Sequence, residues 1–251
     1  MIHGFSGSGR SWGDGLLEAL SRRFRVVAVD LLGHGMSDRP HDPVRYGLGR
    51  LSDDLGRVVD SCFDGPVDLV GYSMGARLAL GVACGRPAWL RRLVLESGSP
   101  GLHDPEARRA RVESDEALAG RMEAEGIEAF LSVWEGLAVF DSMRGSVSAR
   151  TWAAVTAQRR DNDPLALAAV LRGFGTGAQP SLWDALPAVA CPALLLSGRQ
   201  DPKFRDLGRR MASLMPQGRA VSVPGAGHRV HLERPRHWVR VVRAFLAKSV
   251  A

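Results

Sequence analysis

The stretch Val70-Gly71-Tyr72-Ser73-Met74-Gly75 decides how the chain is read. Pro66 to Val70 is short and apolar, as a buried strand is. Met74 to Cys84 is rich in Ala and Leu, and Gly85 then Pro87 close it with helix stop signals. A strand and a helix therefore meet at Gly-x-Ser-x-Gly. Glycines on both sides of the serine let the backbone bend sharply and let the helix pass close to the strand. Such a turn holds the Ser73 hydroxyl clear of the sheet. It also aims the Met74 amide, at the helix start, toward a place where an anionic oxygen could be held. The pattern alone is common by chance and also fits a plain small-residue turn, so its partners decide.

Upstream, His3-Gly4-Phe5 followed by Ser6-Gly7-Ser8-Gly9 reads as the loop leaving a strand, with backbone N–H groups free for an anion. Only Met1 and Ile2 precede it, whereas strands usually run about five or six residues. The expectation is that the natural chain begins upstream. Trp12 to Phe24 carries Trp12, Leu16, Leu17 and Leu20 at helical spacing, and Arg25 to Asp30 reads as a buried strand. Gly33-His34-Gly35 opens a loop in which His34 is expected to be structural. Leu48 to Cys62 is an amphipathic helix stopped by Asp64-Gly65-Pro66. Downstream, Leu93 to Leu95 reads as a strand.

Between about Asp104 and Ala185 strand-like runs vanish. Helical patterns follow one another at Pro105–Glu125, Ile127–Leu137, Val147–Arg160 and Pro164–Phe174. The α/β pattern then resumes with a strand at Ala193–Gly198, a helix at Asp206–Met215, a strand at Ala220–Val223 and a closing helix at Pro235–Ala247. The expected architecture is α/β: a mostly parallel sheet with helices on both faces and a helical cap inserted into it. Its segments are core over 1–103, cap over 104–185 and core again over 186–251.

A serine hydroxyl is a weak base and nucleophile at neutral pH. It needs an imidazole to take its proton and a carboxylate to fix the imidazole tautomer. Asp201 follows the strand ending at Gly198, and His228 follows the next strand through Pro224-Gly225-Ala226-Gly227. Asp201 also fits a helix cap before Pro202, and His231 is the rival base; the glycines before His228 favour His228. Arg77 lies one turn after Ser73, on the same helix face. A cation there opposes the helix dipole at a cost of roughly 0.3–1 kcal/mol, which suits a ligand for a substrate carboxylate. A surface role, or pairing with Asp30 or Asp53, is the competing reading.

Composition narrows the field further. The chain is 45% hydrophobic and 24% charged with a net charge of +6, yet lysine occurs only at Lys203 and Lys248 and the arginines are scattered among acids. No basic run is interleaved with stacking aromatics, which argues against nucleic acid. No apolar run is long enough to span a membrane and no signal peptide appears, so a cytoplasmic protein is expected. Cys62, Cys84 and Cys191 read as buried thiols, without a disulfide or metal pattern.

Taken together, His3-Gly4-Phe5, Gly33-His34-Gly35-Met36-Ser37, Gly71-Tyr72-Ser73-Met74-Gly75, Asp201 and Gly227-His228 resemble the α/β-hydrolase fold, whose triad runs in the order Ser, Asp, His. More narrowly, the chain resembles the 2-succinyl-6-hydroxy-2,4-cyclohexadiene-1-carboxylate (SHCHC) synthases of menaquinone biosynthesis. The matching segments are Gly71 to Arg77, Glu96 to Leu102, Arg108 to Arg111, Phe130 to Glu135, Gly175 to Trp183 and Asp201 to Phe204. Ala76 and Glu135 depart from the family's usual residues there. The resemblance implies a carbon–oxygen lyase that eliminates pyruvate from a small polyanionic substrate, with no cofactor and no metal. It implies Ser73, Asp201 and His228 as the triad and the N–H groups of Phe5 and Met74 as the oxyanion hole. It implies Arg77, Arg111, Trp134 and Tyr72 as substrate contacts, in a monomer or homodimer. Rival readings are an ester or carbon–carbon bond hydrolase on the same fold and a silent, ligand-binding member.

Overall fold

The computed structural model describes residues 1–247, and among them four parallel strands carry the molecule. Helix α1 (Asp14–Ser21) and helix α2 (Leu48–Cys62) precede strand β1 (Val67–Tyr72). Helix α3 (Met74–Cys84) returns the chain to β2 (Leu90–Glu96). Helices only follow: α4 (Pro105–Trp134), α5 (Asp141–Ser146), α6 (Ala149–Arg160) and α7 (Pro164–Phe174). Then come β3 (Ala193–Gly198), α8 (Pro202–Leu214), β4 (Gly218–Val223), α9 (Val230–Glu233) and α10 (Pro235–Leu246). The sheet order is β1-β2-β3-β4, with Gly71 opposite Leu95 and Leu95 opposite Leu195.

Parallel strands need both faces covered, and two apolar clusters do this. Leu69, Leu93 and Leu195 pack with Leu78 and Leu80 of α3 on one face. Val70, Val94 and Leu194 pack with Trp12, Leu16 and Trp238 on the other. A third cluster joins Met122, Phe130, Leu167 and Leu171 of α4 and α7, with Phe5 packed against it. The loop after Ile2 thus touches the helical segment directly.

Three expectations need correcting. Arg25–Asp30 is not a strand: its ladder is limited to Met1 and Ile2, with Val29 N–H donating to Met1 O and Ile2 forming single parallel bridges to Val29 and Gly71. Helix α8 begins at Pro202 rather than Asp206, because Asp201 caps it and Pro202 takes the first helical position. The three cysteines are free but half-buried rather than buried. Cys62 and Cys84 close α2 and α3 where those helices reach the surface, and Cys191 lies in the loop before β3. Elsewhere α2, α3 and β3 have the expected bounds, and Gly126 (φ 79°) breaks α4 between the two helical patterns read there. Residues 248–251 of the last core segment lie outside the described residues.

Candidate active site

Ser73 stands between β1 and α3 with φ 51° and ψ −108°, a strained conformation for a residue bearing a Cβ. Its neighbours make the turn possible. A Cβ at Gly71 would fall on the carbonyl of Gly75, and one at Gly75 would fall on the carbonyl of Ile2. The glycines therefore permit the close approach of α3 to β1 and to the first residues of the chain.

His228 is held from both sides. Its Nδ1–H donates to Asp201 Oδ2 at 2.8 Å, and the Ser73 hydroxyl lies 3.2 Å from its Nε2. A carboxylate only accepts, so Nδ1 carries the proton and Nε2 is left as the acceptor for Ser73. Asp201 has two roles: its second oxygen accepts the Phe204 N–H at 3.3 Å and caps α8. The cap that competed with the catalytic reading is therefore part of the same geometry. The loop carrying His228 is tied down as well. Ser97 Oγ donates to the His228 carbonyl at 2.9 Å, and the Glu233 carboxylate accepts the N–H groups of Gly227 and Arg229. His231, the rival base, is committed elsewhere, its Nδ1 lying 2.8 Å from the buried carboxylate of Glu96.

Phe5 and Met74 line the serine's cavity, and among the described residues neither backbone N–H has an acceptor. The loop bearing Phe5 is fixed by His3. Leu31 N–H donates to His3 Nε2 at 3.0 Å, so Nδ1 carries the proton and donates to Gly4 O at 2.7 Å. Burial pushes His3 down to about 4 and His34 down to about 3, so both are neutral loop supports.

The cavity of about 220 Å³ above Ser73 is strongly cationic at its walls. Arg77 is buried, with Nη1 donating to Gln179 Oε1 at 2.7 Å and Nη2 to Phe174 O at 2.9 Å. It has no ion-pair partner among the described residues, and neither Asp30 nor Asp53 reaches it. Burial, and then the Arg111 guanidinium, push it down to about 9. Arg111 donates to Asp115 at 2.8 Å and is half-exposed. Trp134 stacks on Phe130 and meets the edge of Phe5, with its indole N–H buried and without an acceptor. It therefore both packs on Phe130 and lines the cavity. Tyr72 is buried beside His228, with ring centroids 5.5 Å apart.

Two further cavity residues were not visible in the sequence. Arg159 of α6 donates to Glu135 at 2.9 Å, and Arg229 follows His228; both are buried and line the cavity of Ser73. Each is one arginine among many in the chain, and no spacing rule ties α6 to the serine turn. Gln179, which anchors Arg77, lies in a segment quoted for its family resemblance but carried no chemical signal of its own. Among the described residues, no cluster of three or more His, Cys, Asp or Glu side chains could hold a metal ion, and no helix is long and apolar enough to cross a membrane.

Comparison with known proteins places the chain in a family. The profile of the alpha/beta hydrolase family matches residues 1–241. A Bacillus subtilis (strain 168) protein provisionally named 2-succinyl-6-hydroxy-2,4-cyclohexadiene-1-carboxylate synthase is 38% identical over 98% of this chain and 88% of its own. An Enterobacter sp. (strain 638) protein bearing that synthase name is 36% identical over 93% of this chain and 85% of its own. Among solved structures, MenH from S. aureus superposes with a TM-score of 0.93 at 31% identity, covering 98% of this chain and 91% of that one.

Proposed function

The chain belongs to the alpha/beta hydrolase family, among its SHCHC synthases, and from that premise we propose how its residues carry the reaction. The substrate is 2-succinyl-5-enolpyruvyl-6-hydroxy-3-cyclohexene-1-carboxylate, and pyruvate is eliminated to give SHCHC. Ser73 acts as a base. Its hydroxyl proton passes to His228 Nε2 as the oxygen takes the acidic proton beside the succinyl carbonyl. The Asp201 carboxylate stabilises the imidazolium that forms. Negative charge moves onto the succinyl oxygen, where the N–H groups of Phe5 and Met74 are free to receive it. Each such donor contributes roughly 10²–10³ in rate. The electron pair then travels through the ring, the carbon–oxygen bond to the enolpyruvyl group breaks, and the departing enolate takes up the proton left on the His228 imidazolium to become pyruvate, which restores the neutral imidazole. The serine stays unacylated and no step calls on a metal or organic cofactor.

One observation carries this reading: Arg77 is a buried guanidinium without a carboxylate, one turn from Ser73 and lining the same cavity. An unpaired buried charge costs several kcal/mol, so its place in the fold is explained by an anion that arrives with the substrate. Arg111 lies beside it with a single carboxylate, Asp115, leaving that wall of the cavity with more positive than negative charge. A simple ester would leave these cations unmatched. Tyr72 and Trp134 supply flat apolar walls for the ring.

The experiment is a paired assay on the purified protein, following pyruvate release from the enolpyruvyl substrate beside hydrolysis of p-nitrophenyl acetate. Fast elimination with slow ester cleavage is expected. Fast ester cleavage without pyruvate would instead support the hydrolase reading.

A further inference from the structure

Arg229 follows His228 in the loop between β4 and α9, and only 4% of it is exposed. Among the described residues its guanidinium makes no hydrogen bond and no ion pair, and its Nε is sealed from solvent without an acceptor. The buried Glu233 carboxylate accepts the backbone N–H groups of Gly227 and Arg229 and the Ser146 hydroxyl, and does not pair with the guanidinium. The Tyr72 ring lies 5.5 Å from the guanidinium, and such a contact offers roughly 0.5–2 kcal/mol, less than the cost of burying an unpaired charge.

The surroundings add positive charge. Arg159 is close enough that Arg229 helps to push it down to about 10, after burial. Glu135, its carboxylate partner, also accepts the Thr156 hydroxyl at 2.6 Å. Arg159 thus shares its carboxylate with a hydroxyl, Arg229 has no side-chain hydrogen-bond acceptor among the described residues, and both line the cavity of Ser73. An acceptor for the Arg229 guanidinium can arrive from inside that cavity. A guanidinium fork matches a planar carboxylate, and a charge-assisted contact to one is among the stronger hydrogen bonds.

We infer that Arg229 is a substrate-binding residue that takes a second carboxylate of the substrate, apart from the one held by Arg77. The inference rests on the reading of a polyanionic substrate given above. It extends that reading by assigning a loop residue next to the base to recognition. A substrate carrying only one carboxylate would leave Arg229 unmatched and would be selected against.

The test keeps the inference apart from the reaction. The wild type, Arg229→Gln and Arg229→Lys are compared for thermal midpoint, for pyruvate release from the enolpyruvyl substrate, and for calorimetric binding of succinate, which needs no turnover. Arg229→Gln is expected to fold and to raise both KM and the succinate Kd by at least about tenfold. Arg229→Lys keeps the charge but loses the fork, and about a three- to fivefold rise is expected. A folded Arg229→Gln with unchanged KM and succinate affinity overturns the assignment, as does a wild type that binds no succinate. If Arg229→Gln fails to fold, Arg229→Lys decides, and its equality with the wild type overturns the assignment. Arg229-dependent succinate binding without pyruvate release would uphold this subsite and refute the proposed reaction.

Discussion

His228 Nε2 stands 3.2 Å from Ser73 Oγ although 155 residues separate the two along the chain. Parallel strands bring them together: β1 and β4 point the same way, so the loops after both strands open on one edge of the sheet. Asp201 leaves β3 on that same edge. The meeting of Ser73, Asp201 and His228 is a consequence of strand direction.

Asp201 both orients His228 and caps α8, and substitutions separate these duties. Asp201→Asn keeps an oxygen for the cap but cannot hold the imidazole tautomer. Turnover is expected to fall by about 10²–10⁴ with little change in thermal midpoint. Asp201→Ala loses the cap as well and is expected to cost about a further 1 kcal/mol in denaturant unfolding.

Arg77→Met removes a buried cation that lacks an ion pair. Elimination is expected to weaken chiefly through KM, by at least about tenfold, while unfolding free energy stays level or rises. Steady-state kinetics beside urea unfolding of the same preparation check both halves. A large loss of stability would mean that the hydrogen bonds to Gln179 and Phe174 matter more than the unpaired charge.

Alkaline pH acts on the same residue in two directions. Burial lowers Arg77 from its ordinary, strongly basic range to about 9, so between the two the unfolded chain holds a proton that the folded one has shed. This group therefore makes stability rise with pH across the window. Carboxylate binding needs the protonated form, so affinity is expected to be greatest below about 9 and to fall above it. Succinate titrations from neutral pH to pH 10, repeated with Arg77→Met, check the second effect, and the variant is expected to lose the alkaline fall.

Acid acts on His3 and His34. Both are buried neutral, with His3 lowered to about 4 and His34 to about 3 from 6.5. Below 6.5 the unfolded chain takes up protons that the folded chain refuses, so stability falls as pH drops toward these values. Each histidine contributes a slope of up to about 1.4 kcal/mol per pH unit. Thermal midpoints from pH 7 to pH 4 are expected to fall less steeply for His34→Gln than for the wild type, even if that variant starts lower.

The serine turn was legible because three independent signals coincide there: an apolar run, two glycines and a helical run closed by Gly85 and Pro87. Asp201 and His228 were legible for a similar reason, each standing just past a strand. The failures share a different cause. Arg25–Asp30 has the composition of a strand, but a strand is defined by its neighbours, and here only Met1 and Ile2 pair with it. The early start of α8 was written in Asp201-Pro202 as a cap followed by a proline at the first helical position, and the catalytic reading of Asp201 masked it. Arg159 and Arg229 become special only once folding buries them at one cavity, which no local pattern encodes. Arg77 was readable because helix geometry alone ties it to Ser73.

The central claim is that Ser73 serves as a base in an elimination and not as an acylated nucleophile. Pyruvate release from the enolpyruvyl substrate, followed by coupled reduction of the pyruvate, tests it most directly when wild type and Ser73→Ala are run together. The account predicts one pyruvate per substrate consumed by the wild type, and at least about a 10³-fold loss in Ser73→Ala. Pyruvate release at near-normal rate by Ser73→Ala, or substrate consumption by the wild type without pyruvate, would contradict it.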